Sequence, residues 1–405
     1  MVRTTVTPTW ALLGPAFVAA VAYVDPGNIA ANVSAGAKFG FLLVWVIVVA
    51  NVMAGLVQYL SAKLGLVTGR TLPEAVREKT RAPTRVAYWM QAELVAIATD
   101  LAEIIGGAIA LNLLFGLPLL LGGAITGIVS LVLLGVGDRR GPRMFERVIT
   151  GLLLIIAIGF LASLVVNPPA GGDVVEGLVP RFAGAESVLL ATAMLGATVM
   201  PHAVYLHSGL ARDRHGHPEP GRDRTGLLRA TRWDVTLAML LAGTVNLALL
   251  LVAATNLRGR EGTDTIEGAH AAVADVLGPT VALLFAVGLL ASGLASASVG
   301  AYAGAMIMQG LLRRSYPILT RRLVTLLPAL AVLASGLEPT RALVLSQVVL
   351  SFGIPFALIP LVRLTSDRRL MGSDANHPAT VLAAWAVAVM ISLLNAALIY
   401  LTVTA

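Results

Sequence analysis

Two apolar segments of this 405-residue chain are each interrupted by polar, helix-breaking residues that include good metal ligands. The first interruption reads Asp25-Pro26-Gly27-Asn28 and lies in an apolar stretch that begins near residue 15. A carboxylate at membrane depth is costly and tends to mark the path of an ion or a substrate. Pro26 and Gly27 stop the helix and free the carbonyls just before them, and Asn28 adds an amide oxygen. This break predicts a cation site, with a structural charge and a packing kink as the alternatives.

The second interruption runs from Ala197 to His202 and includes Met200 and Pro201. Proline lacks an N–H and clashes with the preceding turn, so we expect the carbonyl of Ala197 to be left exposed. A thioether suits Mn²⁺, Fe²⁺, Co²⁺ or Cd²⁺ better than Ca²⁺ or Mg²⁺, which prefer oxygen ligands. A lone methionine is more often core filler. Two interrupted helices in matching halves are nevertheless typical of a transporter's substrate site.

The bulk composition indicates a polytopic helical membrane protein. The chain is 57% hydrophobic and 13% charged, whereas a soluble protein carries about a quarter charged residues. Apolar stretches of about 20 residues, the length that crosses a bilayer, recur along the whole chain. The absence of cysteine excludes disulfides and thiolate metal sites. The net charge is +7, and the basic residues lie in short loops between the spans. They therefore indicate how the chain is oriented in the membrane, and no nucleic-acid partner is predicted.

The loops between the apolar spans are basic on one side of the membrane only. The amino terminus and every second loop hold 24 of the 29 lysines and arginines. This asymmetry predicts a cytoplasmic amino terminus and an extracellular or periplasmic carboxyl terminus, in the plasma (inner) membrane. It also supports a count of eleven spans, which lie near residues 10–33, 40–65, 86–114, 117–136, 145–167, 187–210, 233–255, 279–311, 321–336, 341–362 and 379–402.

The two interrupted helices are the first and the sixth of these spans. Five spans therefore precede the second break and five run from it to the tenth. The first broken helix leaves the cytoplasm and the second approaches it, which predicts halves related by inversion in the membrane plane. We expect one transmembrane domain with a first repeat over 10–167, a second over 187–362 and an additional span over 379–402.

The third span carries three acidic residues that share one helix face, because their offsets are seven and three residues. They are Glu93, Asp100 and Glu103. Such acids are costly in a membrane unless they are paired or hydrated, and they often serve as proton relays. His202, next to the second break, has a pKa range that suits proton exchange.

Two adjacent arginines, Arg321 and Arg322, enter the apolar run of the ninth span. They are candidate partners for the acids of the third span. The alternative is that they anchor the helix end at the cytoplasmic face and, with Glu103, only hold helices together.

Three stretches together resemble the signature motifs of the Nramp family (natural resistance-associated macrophage proteins). These are Asp25-Pro26-Gly27-Asn28, Met200-Pro201-His202, and the small-residue run 291–300 of the eighth span. The resemblance covers essentially the whole chain. It implies an all-α polytopic protein of the LeuT type, a 5+5 inverted repeat with broken helices 1 and 6 and an eleventh span. It also implies proton-coupled transport of divalent transition metals.

The resemblance assigns metal binding to Asp25, Asn28, Met200 and the backbone carbonyl of Ala197. It further implies that Gln347, in the tenth span, joins the metal ligands in the occluded state. An interhelical hydrogen bond is the alternative role for this glutamine. Family members that carry Mg²⁺ or Al³⁺ lack the methionine, so its presence argues against both ions.

The resemblance also implies a proton route from the metal site toward the cytoplasm. Glu103 would pair with His202, and Asp100 would pair with Arg322. Asp25 would accept the proton and pass it to Asp100. Glu93 and Arg321 belong to the same polar set.

These observations predict a secondary active transporter that imports Mn²⁺ or Fe²⁺, and also Cd²⁺ or Co²⁺, together with protons by alternating access. No resident cofactor and no soluble protein partner are expected. The main alternative is a symporter of the same fold for a small organic solute. An enzyme is not expected, because neither a His-Glu-x-x-His nor a Gly-x-Ser-x-Gly motif is present. A channel would not need broken helices in inverted halves.

Overall fold

The described part of the chain is built from helices joined by short connections. The computed structural model describes residues 14–140, 142–314 and 318–404, excluding the side chains of 134–140, 142, 143, 145, 222 and 318–322. Inside a bilayer every backbone N–H and C=O needs an internal partner, which helices supply. The helices, α1 to α17 in order, are Pro15–Val21, Pro26–Phe39, Val44–Thr68, Leu72–Lys79, Ala82–Phe115, Leu119–Arg140, Pro142–Val166, Gly171–Glu176, Ala185–Thr198, Pro201–His215, Arg222–Asn256, Ile266–Leu277, Pro279–Leu312, Ile318–Ala334, Pro339–Ser366, Arg368–Met371 and Pro378–Thr404.

These helices form eleven spans within the described residues. The first span is the pair α1 and α2, and the sixth is the pair α9 and α10; the other spans are α3, α5, α6, α7, α11, α13, α14, α15 and α17. Eight helical stretches are long and apolar enough to cross a membrane, and three shorter apolar helices complete the set. The prediction of an all-α polytopic protein with broken first and sixth helices is confirmed.

Several helices extend beyond the spans predicted from hydropathy. The connection left between the sixth and seventh predicted spans, residues 211–232, is shorter in the structure, because α10 continues to His215 and α11 begins at Arg222. Charged residues in these end turns lower the hydropathy without breaking the helix, since arginine is a good helix former. Arg321 and Arg322 belong by backbone to α14, but their side chains, and hence their predicted roles, lie outside the described residues.

The elements that carry the two breaks are held by long neighbouring helices. The half-helix α2 packs on α11 and α9, and α15 packs on α2, α5 and α9. The most extensive contact between two helices of the described residues joins α5 and α13. Because α15 touches both α2 and α9, one continuous helix lies against both interruptions.

Candidate metal site at the two helix breaks

The first break starts before the proline that sequence analysis took as its cause. Helix α1 ends at Val21 and a 3₁₀ turn covers Ala22–Val24. Asp25 then caps α2, and its Oδ1 accepts a hydrogen bond of 2.8 Å from the backbone N–H of Asn28. Pro26 occupies the first position of α2, where its fixed φ fits and no N–H is needed. Pro26 and Gly27 lie in the first turn of α2, and the extended backbone of Asp25 before them agrees with the restriction that a proline imposes on the preceding residue.

The carbonyls freed at this break are bound by side chains from other helices. The carbonyl of Tyr23 accepts from Nδ2 of Asn28 at 2.5 Å and from Nδ2 of Asn246 at 2.7 Å. The carbonyl of Val24 accepts from Oγ of Ser292 at 2.5 Å. Three spans thus fix the backbone of the turn through polar groups.

The second break also has a proline at the first position of its second half-helix, but no side chain caps that half-helix. Helix α9 ends at Thr198, Met200 precedes α10, and Pro201 is the first residue of α10. The carbonyl of Ala197 accepts from Nδ2 of Asn28 at 3.4 Å, which joins the two breaks directly. The end of α9 presents carbonyl oxygens and partial negative charge, which favours a cation.

Helix α15 contributes Gln347 at the point where both breaks meet. Its Nε2 donates to Oδ2 of Asp25 at 3.3 Å and to Oγ of Ser346 at 3.1 Å. Two glycines permit this approach. A Cβ on Gly27 would lie 1.8 Å from Nε2 of Gln347, and a Cβ on Gly196 would lie 2.0 Å from its backbone oxygen. The backbones of α9 and α15 therefore meet directly at Gly196, whereas the backbone of α2 at Gly27 packs against the side chain of Gln347.

The five residues predicted to bind metal lie close together and away from solvent. Asp25, Asn28, Ala197, Met200 and Gln347 each have a relative exposure of 0%. Within the described residues, Oε1 of Gln347 is a buried acceptor with no hydrogen-bond donor. Buried polar atoms are normally satisfied, so an unsatisfied acceptor beside a carboxylate fits a cation. The five residues offer one carboxylate, two amides, one backbone carbonyl at the end of a helix and one thioether. This combination of ligands suits a soft divalent ion.

An amide chain beyond these five residues was missed by sequence analysis. Nδ2 of Asn32 donates to Oδ1 of Asn28 at 2.8 Å and to Oδ1 of Asn246 at 3.3 Å. All three side chains are buried. The available signal was a second asparagine four residues after Asn28, on the same face of an otherwise apolar helix.

A cavity of about 480 Å³ lies on the side of the site where α2 ends and α9 begins. Ser34 and Lys38 of α2 contribute to its wall. Nζ of Lys38 pairs with Glu186 at 2.5 Å and with Asp264 at 3.3 Å. Ser34 follows Asn28 by six residues, about 9 Å of helix. The cavity therefore approaches the breaks without exposing them.

The acidic residues of the third span lie on α5, and two of them are buried. Asp100 and Glu103 have relative exposures of 5% and 0%, and Glu93 is half-buried. Asp100 interacts electrostatically with His202, whose Nδ1 lies 3.3 Å from Oγ1 of Thr99.

The carboxylate of Glu103 faces α13, where a Cβ on Gly300 would lie 2.9 Å from its Oε1. The pairing of Glu103 with His202 stays a prediction, as does the pairing of Asp100 with Arg322, whose side chain lies outside the described residues.

On the opposite side of the breaks, polar contacts fasten the half-helix α1. Gln58 of α3 binds the hydroxyl of Tyr23 and, through Oε1, Nδ1 of His207 at 2.6 Å. The carboxylate of Asp234 accepts from the backbone N–H of Gly14 at 3.0 Å and of Ala16 at 2.9 Å. The amino-terminal end of α1 and the 3₁₀ turn that follows it are thus tied to neighbouring spans.

Comparison with known proteins identifies the family to which these features belong. The family model described as natural resistance-associated macrophage protein-like, Nramp, matches residues 16–401. The chain belongs to the Nramp family. It is 70% identical over 402 residues to the divalent metal cation transporter MntH of Mycobacterium tuberculosis, covering 99% of this chain and 94% of the relative. It is 47% identical over 390 residues to MntH of Bacillus subtilis, covering 96% and 91%.

Solved structures place this Nramp chain in its fold. A mutant of the Eremococcus coleocola manganese transporter superposes with a TM-score of 0.85 at 30% identity, covering 98% of this chain and 87% of that one. Mhp1, a nucleobase-cation-symport-1 transporter, superposes with a TM-score of 0.63 at 16% identity, covering 96% and 90%. The second likeness concerns the fold alone. The Nramp chain therefore has the LeuT-type architecture, with five-span halves related by inversion and an eleventh span.

Proposed function

We propose that this chain imports divalent transition metal ions, Mn²⁺ or Fe²⁺ and also Co²⁺ or Cd²⁺, together with protons. It is a multi-pass membrane transporter and works by alternating access. The observation that carries the proposal is the convergence of a buried carboxylate, a helix-end carbonyl and a thioether at two paired helix breaks. The MntH and manganese-transporter names of its relatives support the same substrate class.

The proposed metal ligands are Oδ atoms of Asp25, the carbonyl of Ala197, the thioether of Met200 and the amide oxygens of Asn28 and Gln347. The Asn28 amide donates its NH₂ to the Ala197 carbonyl and turns its oxygen to Asn32. A half-turn of this amide would bring its oxygen to the side of the Ala197 carbonyl. Binding of the ion would then replace hydrogen bonds that already hold these groups close together.

Met200 is the proposed basis of selectivity. Its thioether is a poor ligand for Ca²⁺ and Mg²⁺, which prefer six or more oxygens. Softer ions such as Mn²⁺, Fe²⁺ and Cd²⁺ accept it. The residue excludes the abundant hard cations at a site whose other donors are all oxygens.

The proposed proton route begins at Asp25 and continues through Asp100 on α5. His202 belongs to this route because it follows Met200 directly and interacts with Asp100. Glu93, Glu103, Arg321 and Arg322 are proposed to complete the polar path. Metal arrival beside Asp25 favours loss of its proton, since a nearby positive charge stabilises the carboxylate.

Alternating access is proposed to use the half-helices α1 and α9, each of which is separated from its partner by a break. The asymmetry of the basic loops supports an amino terminus in the cytoplasm and a carboxyl terminus outside the plasma membrane. The cavity at Lys38 then opens to the outer side. Release to the cytoplasm would require α1 to leave its contacts with Asp234, and the turn after α1 to leave Gln58.

The test is uptake of Mn²⁺ into proteoliposomes that contain the purified protein, with the outside acidic and the internal pH recorded. We expect saturable Mn²⁺ entry with internal acidification and little competition by Ca²⁺. The variant Asp25→Ala should abolish the uptake, while Asp223→Ala, an exposed acid at the start of α11, should not. Normal Mn²⁺ uptake by Asp25→Ala would contradict the assignment of the metal site to the helix breaks. Absence of Mn²⁺ and Cd²⁺ entry in folded protein would favour an organic solute instead.

A further inference from the structure

An apolar groove on the lipid-facing side of the molecule carries a further site. The groove has a volume of about 470 Å³ and runs between α3, α9 and α17. Its wall on α17 extends from Ala386 to Ala397. That distance corresponds to about 16 Å of helix, close to half of the ~30 Å hydrocarbon thickness of a bilayer. The length of the groove thus matches the hydrocarbon thickness of one leaflet.

The position of the groove along the membrane normal assigns it to one leaflet. Helix α17 ends at Thr404, on the side of the membrane opposite to the basic loops. Ala397 therefore lies near the outer surface and Ala386 near the middle of the membrane. This assignment to the outer leaflet rests on the orientation proposed above.

The outer end of the groove has an aromatic rim. The rings of Trp45 and Phe182 meet edge to face with centroids 5.4 Å apart. Nε1 of Trp45 donates to the carbonyl of Arg181 at 3.4 Å. Tryptophan favours the level of lipid headgroups, because one end of its ring is apolar and the other donates a hydrogen bond.

A charged pocket of about 400 Å³ adjoins this rim along residues 181–183. It is lined by three cations and two carboxylates. Arg181 pairs with Glu176 at 2.6 Å, and Lys38 pairs with two carboxylates outside the pocket. Arg258 and Asp173 remain, and within the described residues neither forms an ion pair. The pocket therefore offers one cation and one anion to a ligand.

We propose that the groove and the pocket together bind one outer-leaflet phospholipid with a primary amine headgroup. One acyl chain lies in the groove, the phosphate binds the guanidinium of Arg258, and the ammonium binds the carboxylate of Asp173. An arginine fork matches phosphate oxygens, and an ammonium donates hydrogen bonds to a carboxylate. A headgroup with only a negative charge would leave Asp173 opposed to it, and a quaternary amine has no N–H to donate.

The bound chain would lie against a part of the molecule that belongs to the metal site. Leu195 forms part of the groove and precedes Ala197 by two residues on α9. An acyl chain seated there contacts the half-helix that ends at the second break. The site thus connects the lipid surroundings to the element that carries a proposed metal ligand.

The experiment uses lipids with brominated acyl chains, which quench tryptophan fluorescence on contact. The full chain and its Trp45→Phe variant are reconstituted in vesicles that contain brominated phosphatidylethanolamine, phosphatidylcholine or phosphatidylglycerol in an unbrominated background. The difference between the two proteins reports quenching at Trp45. We expect half-maximal quenching at a mole fraction of phosphatidylethanolamine that is about fivefold lower than for the other two lipids. This factor corresponds to ~1 kcal/mol, the free energy that exposed ionic contacts contribute.

Matched variants separate the chain from the headgroup. Ala397→Leu fills the groove and should reduce quenching by all three lipids, whereas Ala396→Leu, on the exposed surface beside it, should not. Arg258→Gln and Asp173→Asn should each remove the headgroup preference, and Arg260→Gln should keep it.

Equal quenching by the three lipids, or quenching that Ala397→Leu leaves unchanged, would overturn the proposal. Quenching that favours phosphatidylglycerol would overturn the amine assignment. Shielding of Trp45 from every brominated lipid, with a change of oligomeric state in Ala397→Leu, would show that a second copy fills the groove. None of these readouts depends on transport, so they stand apart from the test of metal uptake.

Discussion

The contact of Gly27 with Gln347 gives a prediction for a substitution that adds a single methyl group. In Gly27→Ala the new Cβ would lie 1.8 Å from Nε2, 2.4 Å from Cδ and 2.8 Å from Cγ of Gln347. Ordinary contact begins at 3.4 Å, so Nε2 must move by about 1.6 Å, the difference between these two distances. Its hydrogen bond to Asp25, already 3.3 Å long, would be lost.

The size of the effect follows from moving Gln347 away from its proposed place as a metal ligand. A polar contact to a charged group contributes about 1.5–3 kcal/mol, so the loss of the contact between its amide oxygen and the ion should weaken Mn²⁺ binding about 10- to 150-fold. The helix itself should tolerate the change, because alanine is favoured over glycine by ~1 kcal/mol in a helix. Isothermal titration of the purified variant with Mn²⁺ measures the affinity, and thermal unfolding measures the stability.

Two further variants make the prediction specific. Gly151→Ala, in α7, places its methyl where nothing lies within 4 Å, so its Mn²⁺ affinity should equal that of the parent. Gln347→Ala combined with Gly27→Ala should be no worse than Gln347→Ala alone, since the methyl acts only through the glutamine. An unchanged Mn²⁺ affinity in Gly27→Ala, or full additivity in the double variant, would refute the reasoning.

Three other substitutions test separate parts of the molecule. Met200→Ala should retain Mn²⁺ uptake but admit Ca²⁺, at a cost of about 2–5 kcal/mol in stability for the cavity; competition of Ca²⁺ with Mn²⁺ uptake measures this. Asp234→Asn weakens the cap of α1 by ~1 kcal/mol and should increase cytoplasmic labelling of a cysteine placed in α1 about fivefold, in a chain that has no cysteine of its own. Lys38→Gln releases Glu186 and Asp264 and should lower the KM for Mn²⁺ at low ionic strength only, because salt screens exposed charges.

Each of these has a control in the same region of the chain. Met194→Ala removes another buried methionine, on α9, and should leave the selectivity unchanged. Asp223→Asn changes an acid of α11 that does not cap α1, and Arg260→Gln removes a charge from the same outer face as Lys38. Unchanged Ca²⁺ exclusion in Met200→Ala would make the methionine a packing residue. Equal cysteine labelling, or a KM shift that persists in high salt, would contradict the other two interpretations.

The positions of the breaks were predictable because proline, glycine and polar residues are rare in apolar spans. Asp25 and Met200 stood out for this reason, and the alternation of basic loops gave the span count. Pro26 marked the position of the break, but the sequence did not show that it also begins α2, because a proline can follow the end of one helix and occupy the first turn of the next. The cap formed by Asp25 shows where α2 begins, and that contact depends on backbone angles.

The supporting contacts were not predictable from the sequence. The hydrogen bond of Ser292 to the carbonyl of Val24 joins residues 268 positions apart, and serine is common in membrane spans for many reasons. The hydrogen bond of Asn246 to the carbonyl of Tyr23 likewise joins residues 223 positions apart. Such partners are fixed by how the helices pack, which no local pattern of residue types records.

At the metal site, the residues that set the spacing of the helices differ from the residues that supply the ligands. Gly27 and Gly196 determine how closely α2 and α9 approach Gln347, while Asp25, Met200 and Gln347 supply the proposed metal ligands. A substitution in the second group changes the donor atoms of the metal site and leaves the spacing of its helices unchanged. A lineage carrying these glycines can therefore change its cargo through single replacements, without rebuilding the transporter around each new ion.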